Sequence, residues 1–95
     1  MAADSPVQEA EFEVINRLGL HARAAARFVA VASDYDAAIE VRNDGNEANG
    51  KSIMGLMMLA AGQGSRLIVT ARGDDGSRAL EALGALLADR FGEAD

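Results

Sequence analysis

The stretch AAIEVRNDGNEANGKSIMGLMMLA, residues 37–60, carries the reading that decides the fold. Ala37 to Arg42 alternates, with Ile39 and Val41 on one side and Ala38, Glu40 and Arg42 on the other, as a half-buried strand does. Asn43-Asp44-Gly45-Asn46 is turn chemistry. A short strand over Glu47–Asn49 can therefore return beside the first as an antiparallel neighbour. Ser52 to Ala60 is apolar nearly all round and predicts a short helix, which Gly62-Gln63-Gly64 ends. A hairpin followed at once by a helix describes a sheet with helices laid over it.

Working outward, Arg66 to Arg72 alternates clearly, with Leu67, Val69 and Ala71 on one face. Gly73-Asp74-Asp75-Gly76 is a second turn, and Asp75 or Ser77 can serve as a helix cap. Leu80, Leu83, Leu87 and Phe91 then mark a long terminal helix by their spacing. Upstream, Phe12 to Ile15 predicts a short strand, with Phe12 and Val14 inward. The alanine-rich run from Ala22 to Ser33 predicts a helix whose buried stripe is Ala25, Phe28, Val29 and Ala32. The order is β-α-β-β-α-β-α. One sheet with its three helices on a single face is the economical α+β architecture for that order. A leader is expected over residues 1–9 and one domain over 10–95.

Composition narrows the chemistry. Net charge is −6, nine basic residues against fifteen acidic, which disfavours a nucleic-acid partner. The chain has no cysteine and a single histidine, so neither thiolate chemistry nor a Cys- or His-rich metal site is available. The N-terminal residues lack the basic and apolar regions of a signal peptide. No apolar run reaches the roughly 20 residues of a membrane span. A cytoplasmic protein without membrane insertion or cofactor, and a monomer, is the expectation.

The one histidine, His21, falls between a Gly-bounded turn and the first helix, as a candidate N-cap. The free N–H groups of Ala22 and Arg23 point toward such a position, and helix N-termini attract anions. That same positive end disfavours an imidazolium. A neutral ring has one lone pair free to attack phosphorus. Arg23 adds a fork of donors for phosphate oxygens. From position alone, a surface histidine that happens to precede a helix is an equal alternative.

The segment Asn16-Arg17-Leu18-Gly19-Leu20-His21-Ala22-Arg23-Ala24-Ala25-Ala26-Arg27-Phe28-Val29 resembles the active-site signature of the histidine-containing phosphocarrier family, HPr, of the bacterial phosphotransferase system. The likeness continues through Asn49-Gly50-Lys51-Ser52 and Gln63-Gly64, and covers residues 11–91. It implies an open-faced β-sandwich with a four-stranded, mostly antiparallel sheet. It implies phosphorylation of His21 on Nδ1 by phosphorylated enzyme I, transfer to a histidine of an EIIA-type protein, and Arg23 as the active-site arginine. Ser52, opening the second helix, matches a regulatory site for an HPr serine kinase/phosphorylase. Ile53, Met54 and Met57 would dock partners, with Arg17 and Arg27 adding charge complementarity. The family usually has proline where this chain has Ala24. Arg42-Asn43-Asp44 before Gly45 and the Met-rich second helix look closer to the nitrogen-related regulatory branch than to sugar uptake.

Other classes are weaker. Gly45 to Ser52 fits the P-loop pattern G-x-x-x-x-G-K-S, but too little chain remains to build the parallel sheet that such a site needs. An acylphosphatase-like enzyme would need an Arg and Asn around a phosphate loop, which is absent. A small-molecule-binding regulatory domain would leave His21 dispensable.

Overall fold

The structure, a computed structural model, describes residues 6–95. Strand β1 (Val7–Glu13) leads to helix α1 (Ala22–Ala32), the hairpin β2 (Ala38–Asn43) and β3 (Asn46–Asn49), helix α2 (Ile53–Met58), strand β4 (Arg66–Arg72) and helix α3 (Gly76–Ala88). The sheet order is β1-β4-β2-β3, and all three pairings are antiparallel. The expected fold class is the one observed.

Strand alternation decides which face is covered. In β4, Leu67, Val69 and Ala71 are buried; in β2, Ile39 and Val41. The register sets Phe12 of β1 opposite Leu67, Ala10 opposite Val69, and Val41 on the other flank of Val69. These side chains share the inner face, and α3 lies against β1 and β4 with Leu83 and Leu87 buried beneath it. A Cβ on Gly84 would stand 2.8 Å from Phe12 Cε1, so a glycine here is what lets α3 approach β1. Ala24, Ala25, Phe28 and Ala32 form the buried stripe of α1, with Val29 only half-buried. The outer face is polar and open to solvent. It carries the ion pairs Arg42–Glu9 at 2.9 Å and Arg66–Glu11 at 3.4 Å, whose exposure limits each to about 1 kcal/mol or less.

The main differences from the sequence reading lie in β1, at the end of the terminal helix and at its cap. β1 begins at Val7 rather than Phe12, so Val7, Gln8 and Glu9, expected in a leader, pair with Arg72, Ala71 and Thr70. Pro6 precedes the strand, and residues 1–5 of that leader lie outside the described residues. The terminal helix stops at Ala88; Arg90 and Phe91 take positive φ in a short 3-10 turn that folds the chain back. Phe91 is buried from this turn, not from the helix that its spacing suggested. Asp75 occupies the N-cap position of α3, where its carbonyl accepts from Ala79 N–H at 3.0 Å but its side chain makes no capping bond. Its carboxylate instead accepts from the N–H groups of Asp36, at 2.8 Å, and Ala37, at 2.9 Å, tying the end of the α1–β2 loop to the β4–α3 turn.

No helix among the described residues is long and apolar enough to cross a membrane.

Candidate functional site

The loop before α1 is placed by backbone bonds. Leu20 N–H donates to the carbonyl of Ala61 at 2.8 Å, so the residue preceding His21 is clasped to the segment that follows α2. Gly19, at φ +69°, makes the turn that allows this. His21 then caps α1 in extended conformation, and its Nδ1 accepts from the N–H of Arg23 at 3.3 Å. An imidazole thus takes the place usually held by a Ser, Thr, Asp or Asn side chain.

The opposite ring nitrogen is engaged by a residue far along the chain. Nε2 of His21 lies 2.5 Å from Oε2 of Glu93. Glu93 Oε1 accepts from Asn16 Nδ2 at 3.0 Å, and the same Nδ2 donates to the carbonyl of Gly19 at 2.8 Å. Both neighbours are acceptors, so the amide group between them is the NH₂. Asn16 is fully buried, and its Oδ1 has no partner among the described residues. An unmet buried acceptor costs on the order of 1–3 kcal/mol, which the fold tolerates here. Burial pushes the Glu93 carboxyl up. Hydrogen bonds from Asn16 and His21, with the charges of His21 and Arg27, outweigh that and hold it below the usual carboxylate range.

The other expected residues divide into two groups. Arg23 and Arg17 line the same depression of about 190 Å³ as His21 and Glu93, with Leu18, Ala94 and Asp95 completing it. Arg17 is loosely paired with Asp95 at 3.7 Å. Arg27 is tied down: its guanidinium donates to the carbonyl of Phe91 and fastens the C-terminal turn, rather than standing free to meet a partner. Ser52 caps α2, its Oγ accepting from Gly55 N–H at 3.0 Å. On α2 only Leu56 is buried; Met54 is 72% exposed, Ile53 42% and Met57 41%. Met58, on the same helix, and Leu18, in the loop before α1, are exposed as well, at 79% and 60%. Asn16 and Glu93 are site residues that sequence reasoning misses. Asn16 stands in the signature as a polar residue of no assigned task, and Glu93 carries no local signal.

Among the described residues no group of three or more His, Asp or Glu side chains is placed to hold a metal ion. The P-loop pattern is dispersed over a hairpin turn, strand β3 and a further turn. The Lys51 ammonium donates to the carbonyl of Tyr35 at 2.7 Å, so no phosphate cradle forms.

The fold is an open-faced sandwich that presents an imidazole at a helix N-terminus, beside an arginine and an exposed apolar helix. The family description "PTS HPr component phosphorylation site" matches residues 8–89. The phosphocarrier protein HPr of Pseudomonas aeruginosa is 49% identical over 86 residues, 90% of this chain and 96% of that protein. The phosphocarrier protein NPr of Shewanella violacea is 38% identical over 90% of this chain and 94% of its own length. The crystal structure of HPr-C-His from Thermoanaerobacter tengcongensis superposes with a TM-score of 0.88 at 43% identity, covering 93% of this chain and 99% of that one. The chain belongs to the HPr family of phosphocarrier proteins of the phosphotransferase system.

Proposed function

We propose that His21 accepts a phosphoryl group on Nδ1 from phosphorylated enzyme I and yields it to an EIIA-type protein in the cytoplasm. The observation that carries this reading is the division of labour at the ring. Nε2 is occupied by Glu93, while Nδ1 faces the N-terminus of α1, where the Arg23 N–H is already within reach. A phosphoryl group on Nδ1 would meet that N–H, the positive end of an 11-residue helix and the Arg23 side chain. In-line transfer asks for positioning and for neutralised equatorial oxygens, and these groups supply both. The site is shallow, so the partner contributes the remaining contacts and excludes water.

Leu18, Ile53, Met54, Met57 and Met58 supply an apolar surface for that partner, and methionine lets one surface fit a donor and an acceptor in turn. Arg17 and Arg23 bring positive charge to the N-terminal end of α1, while Arg27, mid-helix, is held by the Phe91 carbonyl. Phosphorylation of Ser52 by an HPr serine kinase/phosphorylase would place a dianion at the start of α2 and displace its bond to Gly55, changing the docking surface by charge. The same His21 chemistry serves sugar uptake and nitrogen-related regulation; the acceptor that takes the phosphoryl group tells the two apart.

The alternative, a small-molecule-binding domain, draws on the larger depression of about 550 Å³ beside β2 and β4. Asp36 and Glu40 oppose Lys51 and Arg72 around it, so no one ligand charge is favoured. Incubation with phosphoenolpyruvate and cognate enzyme I tests the carrier reading. An acid-labile phosphate that is absent in His21→Ala is the expected result. No label with a competent enzyme I overturns it.

A further inference from the structure

We propose that Glu93, aimed by Asn16, is a positioning residue that keeps the ring proton of His21 on Nε2, so that Nδ1 alone is open to phosphorus. The proposal rests on the carrier reading only for its biological use; its chemistry concerns the ring.

An ionised carboxylate accepts hydrogen bonds and donates none. A neutral imidazole meeting Glu93 through Nε2 must therefore carry its proton there, which places the lone pair on Nδ1, where it accepts the long 3.3 Å bond from Arg23 N–H. Asn16 fixes the carboxylate in turn. It is wholly buried, and it spans Glu93 Oε1 and the carbonyl of Gly19, two residues before the histidine. Histidines that bind metals are oriented by the same device, a carboxylate or carbonyl on the nitrogen that does not react.

The arrangement serves both halves of a relay. Nδ1 attacks phosphorus with its lone pair, the bond from phosphorus to the donor breaks, and that electron pair leaves with the donor. The ring becomes a phosphorylated imidazolium with its proton still on Nε2, facing the Glu93 carboxylate. On transfer onward the Nδ1–P bond breaks, its electron pair returns to Nδ1, and the ring departs as neutral imidazole. Without the Nε2 proton it would have to leave as imidazolate, a far poorer leaving group. No proton is gained or lost over the cycle, and Glu93 remains a carboxylate throughout.

The test uses phosphoramidate, a chemical donor that needs no protein partner. The attachment nitrogen is read from ³¹P and ¹⁵N spectra, which the single histidine makes unambiguous. The folded wild type is expected to label on Nδ1 alone. Glu93→Ala, folded by its amide spectrum, is expected to label on both nitrogens because Nε2 is released. Glu93→Gln can still accept from Nε2–H through its amide oxygen, so it should keep attachment on Nδ1. Lacking the charge, it should pass the phosphoryl group on about tenfold or more slowly at neutral pH. Attachment on Nδ1 alone in both wild type and Glu93→Ala overturns the proposal, as does wild-type transfer by Glu93→Gln. Failure of enzyme I to label the protein would leave this outcome untouched and would bear on the carrier reading only.

Discussion

A Cβ placed on Gly19 would stand 2.6 Å from the carbonyl oxygen of Ala61, the same oxygen that accepts from Leu20 N–H. The loop that presents His21 and the segment after α2 are in backbone contact, and only glycine leaves room for it. Gly19→Ala is therefore expected to lose about 2 kcal/mol or more, from left-handed strain together with displacement of that carbonyl. Gly45→Ala is the control. Its φ of +83° imposes comparable strain, but nothing lies within 4 Å of the added methyl. Urea midpoints should fall clearly further for Gly19→Ala; equal shifts would mean that the contact with Ala61 carries no energy.

Asp75 gives a pH dependence with a definite sign. The N–H of Asp36 is the leading influence. Burial opposes it, the N–H of Ala37 adds to it, and together they hold the carboxyl below its ordinary 3.8. A depressed carboxyl stabilises the fold above its unfolded value, and that contribution disappears as pH falls through the lower folded value. Wild type should exceed Asp75→Asn in stability at neutral pH, with the gap closing below about pH 4. Denaturation midpoints across the acid range measure the gap; one that persists undiminished into strong acid would show that the charge of Asp75 contributes nothing.

Arg27 is expected to act on the tail more than on the fold. Its guanidinium reaches the carbonyl of Phe91, next to the bonds from Gly92 N–H to Asp89 and from Glu93 N–H to Arg90, each 2.9 Å. Arg27→Met should leave global stability within about 1 kcal/mol of wild type. It should also speed amide exchange at Gly92 and Glu93, since local opening draws on local contacts. Unchanged exchange at both amides would dissociate Arg27 from the tail.

Met54 separates docking from chemistry. At 72% exposure it contributes little to the core, so Met54→Asp should fold normally. If the α2 surface receives enzyme I, a buried, unpaired carboxylate there should lower kcat/KM for phosphoryl transfer about tenfold or more, while labelling by phosphoramidate proceeds as before. Wild-type kcat/KM would remove Met54 from the interface.

The sequence disclosed those parts of the fold whose signal is periodic and local. β2, β4 and α1 each bury one full face, so alternation or helical spacing betrays them. The expected helix stripe errs only in including Val29 and omitting Ala24, which lie on opposite flanks of it. β1 is an edge strand with one face in water, and only Ala10 and Phe12 of its seven residues point inward, too thin a pattern to find its start. Phe91 keeps helical spacing from Leu87 yet reaches the core through a left-handed turn, which spacing does not encode. Within the candidate site, His21 and Ser52 are legible as helix caps because capping is local. Glu93 does not, because its partner lies 72 residues away and nothing near it alternates, caps or repeats.

That separation also sets an order of biosynthesis. At roughly 5–20 residues per second, 72 residues divide His21 from Glu93 by about 4–14 s of translation. Through that interval the Nε2 of His21 has no carboxylate at residue 93 to meet. A product released early, anywhere short of residue 93, would keep His21, Arg23 and the first helix and still lack the carboxylate. Synthesis through Glu93 is thereby written into the site itself.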